Sequence, residues 1–156
     1  MEVEWRRAAA YVVCRDDRQR ILLTRFVHES HPDSGRWTMP GGGMEWGEHP
    51  AETAARELEE ETGLTATIGA VVGVFSRWYA ADEAVSGEAG HMIGIVHETG
   101  DVTGELRSEV DGTTDAVAWF TLDEARELPR VDLVDFVLSL VADPDADTGS
   151  DAQAPG

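Results

Sequence analysis

At 156 residues and 17.0 kDa the chain has the size of one domain, long enough to bury roughly two thirds of its unfolded surface without disulfides or structural metals. A composition of 42% hydrophobic and 28% charged residues excludes disorder over most of the length, and no run approaches the roughly 18 apolar residues of a membrane span. Thirty-one acidic against 12 basic residues leave a net charge of −19, which disfavours binding to a nucleic-acid backbone.

A polyanionic small substrate stays open, provided that divalent cations or clustered arginines neutralise it. Every basic residue is an arginine, so lysine Schiff-base chemistry and a phosphate loop needing Lys after its glycines are excluded. The charged start, Met1 to Arg7, lacks an apolar signal segment and Cys14 stands alone. Both point to a cytoplasmic protein.

In chain order, Ala8 to Val13 and Ile21 to Phe26 are short β-branched-rich runs separated by the polar Asp16-Asp17-Arg18-Gln19, the spacing of a β-hairpin or a close relative of one, which predicts two strands. A surface loop from Val27 to Arg36 and a short strand, Trp37 to Met39, follow. Pro40 and Gly41 to Gly43 are expected to break regular structure and leave bare backbone for close approach by another group. The strongest helix begins at Pro50 and ends before Gly63, with Ala51, Ala54, Ala55 and Leu58 spaced to pack one narrow face on a sheet. Ala66 to Tyr79 reads as a long strand bent at Gly69 or Gly73, His91 to His97 as another, Glu98 to Thr114 as a loop, and Ala116 to Thr121 as a strand. Leu122 to Leu128 and Val131 to Ala142 read as helices, the first stopped by Pro129. This order suggests an α/β domain over 1–142, with helices on a mixed sheet. Residues 143–156 carry four aspartates and no large apolar group, the composition of a disordered acidic tail.

Within the first helix Glu57, Glu60 and Glu61 lie at i, i+3 and i+4, so three carboxylates share one face. That face is centred about 120° from the alanines. Such a cluster is unstable without positive charge between its members, and oxygen-rich sets suit Mg²⁺ or Mn²⁺. Taken alone, it would more often be a solvated acidic face.

The surroundings change that weighting. Gly42, five residues, Glu48, seven residues, Arg56-Glu57-Leu58, one residue, Glu60-Glu61, one residue and Gly63-Leu64 resemble, without departure, the signature of the Nudix (MutT-like) hydrolase family. A chance match is on the order of 10⁻⁸ per start position. Gly35 to Gly43 resembles the segment that commonly precedes the signature, and the element order resembles the family's α/β/α sandwich with its catalytic helix at about 50–62.

The resemblance implies hydrolysis of a nucleoside diphosphate linked to another moiety, such as a nucleoside triphosphate or nucleotide sugar, by water attack on phosphorus with Mg²⁺ or Mn²⁺. It implies that Glu57, Glu60, Glu61 and the Gly42 carbonyl hold the metal, that Arg56 orients the carboxylates with Glu48 as its partner, and that Gly63 ends the helix in support of the site. Bound metal can polarise the phosphates and lower the pKa of a water, which independently suits this chemistry. Glu57 or Glu61 is the candidate base. A later acidic residue commonly joins the ligands; of Glu105, Glu109, Asp111 and Asp115, Glu109 is the first choice.

Arg25 resembles a phosphate-contacting arginine of some relatives, though a strand-end salt bridge suits it equally. Arg36, Trp78 and Tyr79 complete the substrate-binding candidates, with Phe26, Trp37 and Trp46 as further aromatics able to stack on a base. Tyr79 stands near where some diadenosine-polyphosphate-cleaving relatives place a Tyr, and the proline-rich motif of NADH-cleaving relatives is missing. The histidines show no zinc-ligand spacing with Cys14. A small-molecule nucleotide is thus the expected partner, with no nucleic acid or membrane, and family resemblance makes a homodimer plausible. Two rival readings are a catalytically idle nucleotide-sensing module using the same pocket, and an acidic interaction protein working through its tail.

Overall fold

A computed structural model describes residues 4–84 and 86–141; the acidic tail expected over 143–156 lies outside them. Strands β1 (Trp5–Val13), β4 (Gly41–Gly43), β5 (Leu64–Tyr79) and β6 (Gly90–Gly104) form a mixed sheet ordered β4-β1-β6-β5. In it β1 runs parallel to β6 and antiparallel to β4. Beside this sheet lies a second, antiparallel one, ordered β3-β2-β7, from β3 (Trp37–Thr38), β2 (Ile21–Phe26) and β7 (Thr114–Phe120). Helix α1 (Pro50–Thr62) packs on one side, and α2 (Leu122–Arg126) with α3 (Asp132–Leu140) on the other.

Strand alternation divides the core in two. Ala10, Val12 and Cys14 turn to Ala54 and Leu58 of α1, whereas Val13 joins Leu23, Met39, Val96 and the α3 residues Leu133, Val134, Val137 and Leu138. Full burial of each large aliphatic side chain contributes roughly 1.5–3 kcal/mol. The result is the three-layered mixed α/β architecture expected. Among the described residues no helix is long and apolar enough to cross a membrane.

Several local expectations change. Gly41 to Gly43 does not break regular structure but pairs with Tyr11, Ala10 and Ala9 as β4, because a backbone ladder requires no side chains. The loop expected from Glu98 starts later, since β6 continues to Gly104 opposite the start of β5, pairing Thr103 with Thr65 and Val102 with Ala66. The β5 bend takes the form of register shifts between Ala66 and Gly73, spanning the two glycines singled out for it. On α1 the packed face is Thr53, Ala54, Leu58, Glu61 and Thr62, while Ala55 is exposed. The helix is rotated from the alanine face towards Glu61, which places that carboxylate inside rather than at the edge. His49 caps it: its Nδ1 accepts the Ala51 amide at 3.0 Å, and Glu52 accepts the His49 amide at 2.8 Å.

Candidate active site

The site is built where edge strand β4 meets α1. A side chain at Gly42 would place its Cβ 2.9 Å from the Glu57 carboxyl carbon, so the missing side chain is the space this carboxylate occupies. One residue earlier, the Gly41 amide donates to Glu61 Oε1 at 3.0 Å. Gly41 has φ +147°, and any Cβ there would strike the Tyr11 backbone. Only glycine brings this strand so close to both neighbours.

Arg56 organises the helix side. Its Nε and Nη2 donate to the two Glu48 oxygens at 2.8 and 2.9 Å, its Nη1 donates to Glu57 at 3.0 Å, and Glu60 lies 3.6 Å away. Glu48 also accepts from Thr53 Oγ1 and the Glu45 amide. Arg56 first, then these two donors, hold the Glu48 carboxyl down at about 2. This fork pairing keeps the guanidinium between three carboxylates.

The three helix glutamates are not equivalent. Glu60 is half exposed, Glu57 is largely covered, and Glu61 is 5% exposed. Burial pushes Glu61 well above the ordinary carboxylate range against the Gly41 hydrogen bond, and the charges of Glu57, Glu109 and Glu60 add to it. Glu57 is also raised, chiefly by burial and despite Arg56, with Glu60 and Glu109 contributing. Glu109, foremost of the loop candidates, is thus near enough for its charge to act on both. Its carboxylate fills the space above Gly112 and accepts from Thr114 Oγ1 at 3.0 Å.

The other loop acids lie elsewhere. Asp115 takes Arg25 in a two-bond pair at 2.8 and 3.1 Å. The Glu105 carbonyl lies over Gly63, whose φ of +80° closes α1, and Arg107 donates to the helix-end carbonyls of Thr62 and Glu59. Asp111 adopts a positive φ of 60° in the exposed turn.

Arg36 donates to the Arg130 carbonyl and lies 3.6 Å from Asp33. Trp78 lines an outer depression with Glu4, Trp5, Arg6 and His91 rather than the cavity that follows, although Trp5 and Arg6 border both. Trp37 packs edge-on to Phe120 against the core, and Trp46 is fully exposed.

Between the sheets opens a cavity of about 630 Å³, within the range of ligand pockets. Glu61, Gly41 and Gly42 form one part of its wall; Phe26, His31 and Tyr79 form others. Tyr79 stacks against Trp5 at 6.2 Å and lies under Arg77 at 4.3 Å. Sequence reasoning missed Trp5, Arg7 and Tyr11, which also line it. Their signal was available: all three have the same parity on β1. Burial pushes the Tyr11 hydroxyl up, against the neighbouring Arg7, and keeps it a proton donor.

A family model described as the NUDIX domain matches residues 5–138. The chain belongs to the Nudix family. Over 74 residues, 47% of this chain and 46% of the relative, it is 38% identical to a putative 8-oxo-dGTP diphosphatase of Bacillus subtilis. It is 32% identical to an ADP-ribose pyrophosphatase of Methanocaldococcus jannaschii over 64% of this chain and 53% of that protein. The Nudix chain thus spans about half the length of these curated relatives. Its fold is similar to that of a MutT Nudix hydrolase from Burkholderia pseudomallei, with TM-score 0.73 and 27% identity over 88% of this chain and 98% of that one.

Among the described residues, no three acidic, His or Cys side chains already converge as a finished cation cage. Glu57 and Glu60 turn instead to Arg56. The donor set nevertheless fits a hard divalent ion in kind. It offers carboxylate oxygens beside a glycine strand, with a buried Glu61 whose charge has no cationic side chain in ion-pair reach.

Proposed function

We propose that this chain hydrolyses the pyrophosphate bond of a nucleoside diphosphate linked to another moiety, acting in the cytoplasm on a small nucleotide substrate. The observation that carries this reading is the buried Glu61 carboxylate on the wall of a substrate-sized cavity, with Glu57 and Glu109 close enough to raise it further.

In this reading Glu57, Glu60, Glu61 and the Gly42 carbonyl hold Mg²⁺ or Mn²⁺, and Glu109 joins them. Such an ion, when bound, lowers the pKa of a water and polarises the phosphate oxygens. The protein supplies the rest. Arg56 fixes the helix carboxylates through Glu48 and keeps Glu57 from drifting into solvent. Glu57 or Glu61 takes the proton of the attacking water, both being carboxylates whose raised affinity for protons suits a base. Tyr79, backed by Trp5, offers a stacking surface for a base.

The test is product release from nucleoside triphosphates, an oxidised nucleotide, ADP-ribose, nucleotide sugars and diadenosine polyphosphates, with Mg²⁺, with Mn²⁺ and with chelator. Cleavage that needs metal and falls by several orders of magnitude in Glu60→Gln supports the reading. Unaltered turnover in a folded Glu60→Gln protein overturns the metal assignment. Ligand binding with no cleavage favours the sensor alternative, for which the pairing of Glu57 and Glu60 with Arg56 is the supporting observation.

A further inference from the structure

The two arginines that the sequence offers as substrate-binding candidates are already engaged. Arg25 is held by Asp115 at 2.8 and 3.1 Å, and Arg36 by the Arg130 carbonyl and Asp33. Arg77 pairs with Glu83 and Asp132 at 3.0 and 3.1 Å. Arg6, on the cavity rim, donates to His91. Arg7 is exposed and lines the same cavity as Glu61 and Arg6; like Arg6 it has no carboxylate in ion-pair reach among the described residues, and unlike Arg6 its guanidinium has no hydrogen-bond partner among them either.

We propose that Arg7 is the residue that grips the substrate's phosphate chain, fixing its position along the cavity relative to the α1 carboxylates. This rests on the hydrolase reading above and names the group that brings a polyanion into an acidic site.

Two observations support it. Along β4 successive glycines give up their side-chain space to opposite faces, as strand geometry requires. Gly42 yields to Glu57 on the helix side, and Gly43 yields to Arg7 on the cavity side, where an added Cβ would lie 2.8 Å from Arg7 Cζ. Gly43 has no left-handed φ to explain a glycine there, so accommodating the guanidinium is its evident use. One bare strand thus separates an anionic cluster from a cationic group. Glu61 and Arg7 line the same cavity, so an anion lying along that wall can meet the guanidinium while facing the one α1 glutamate that lines it.

The second observation is electrostatic. In a chain of net charge −19 most arginines near the cavity are spent on carboxylates or backbone carbonyls. A guanidinium left unpaired on a wall shared with Glu61 is available to a ligand, and its planar fork matches two non-bridging phosphate oxygens. Arg18 provides the contrast. It too lacks a carboxylate partner among the described residues, but it sits in the turn between β1 and β2, outside the cavity lining.

The probe is imidodiphosphate with Mg²⁺, a non-hydrolysable anion common in shape to every candidate substrate, titrated calorimetrically into wild type, Arg7→Met, Arg7→Lys, Gly43→Ala and Arg18→Met. Arg7→Met is expected to weaken binding about tenfold or more, equivalent to ~1.4 kcal/mol. Arg7→Lys recovers part of the loss, Gly43→Ala behaves like Arg7→Met, and Arg18→Met stays within about twofold of wild type. On whichever nucleotide is turned over, Arg7→Met raises KM more than it lowers kcat.

Equal binding by wild type and Arg7→Met overturns the assignment, as does an equal loss in Arg18→Met, which would mark a mere net-charge effect. Absence of measurable binding by wild type at millimolar anion overturns it too. These outcomes are separate from the Glu60→Gln result, which judges hydrolysis and not the anion grip.

Discussion

The buried Glu61 carboxylate accepts the Gly41 amide at 3.0 Å, so a single hydrogen bond ties the last turn of α1 to the glycine strand lining the cavity. It is the only donor the structure gives this carboxylate among the described residues. Burial therefore disfavours the charged form of this carboxyl, a cost that a cation bound beside it would offset.

Glu61→Gln should stabilise the metal-free protein near neutral pH while abolishing hydrolysis. Burial, more than the nearby carboxylates, raises Glu61 above its ordinary value of 4.5, so folding takes up a proton. The protonated form's stability is fully present below about 4.5 and is lost as pH rises through the folded value. The melting-temperature difference between Glu61→Gln and wild type in chelator should hence grow as pH rises above Glu61's ordinary 4.5, and added Mg²⁺ should shrink it. A difference independent of pH would contradict this.

Arg56→Lys should fail to replace the arginine. A lysine cannot make the two-pronged contact with Glu48 while also reaching Glu57. Urea unfolding should show a lower midpoint than wild type. Acid sensitivity should change with it: the Glu48 carboxyl, held at about 2 by Arg56, contributes stability present above its ordinary 4.5 and lost as pH falls through about 2. Acid unfolding of Arg56→Lys should begin at higher pH than that of wild type.

Gly42→Ala should separate chemistry from stability. Its methyl would sit 2.9 Å from the Glu57 carboxyl carbon and oxygen, and the end of a flexible side chain yields more readily than backbone. The expected result is a near-normal melting temperature with kcat reduced on the order of 10²-fold, the usual consequence of a displacement of about 1 Å. Wild-type kcat in this variant would show that Glu57 has no fixed position in turnover.

Leu58→Ala should do the reverse. Leu58 is fully buried between α1 and β1, and such truncations cost about 2–5 kcal/mol through lost burial and the cavity left behind. Calorimetry should show a lower melting temperature, with KM unchanged at temperatures where the variant is folded.

Much of the site was legible in the chain because it is local. Glu48, Arg56, Glu57, Glu60 and Glu61 fall within fourteen residues of one loop and one helix, and helical spacing alone brings the carboxylates together. The helix ends were equally plain from Pro50 and Gly63. The alanine spacing misled about which face packs: hydrophobic periodicity identified a face through Ala55, but β1 and β4 approach from the side that carries Leu58, Glu61 and Thr62. Gly41 to Gly43 gave no strand signal, since side-chain patterns cannot report a ladder made by bare backbone.

By itself, then, the sequence determined the family, the helix that carries the glutamates and the residue types that helix presents, all of which depend on short-range spacing and residue type. Only the tertiary structure decided how the carboxylates differ, that the charge of Glu109 is felt at Glu57 and Glu61 while Asp115 is taken by Arg25, and that Arg7 is left facing the cavity. Burial and charge pairing are set by contacts between residues tens of positions apart. Arg25 and Asp115 are separated by 90 residues, and no local pattern can show that one satisfies the other.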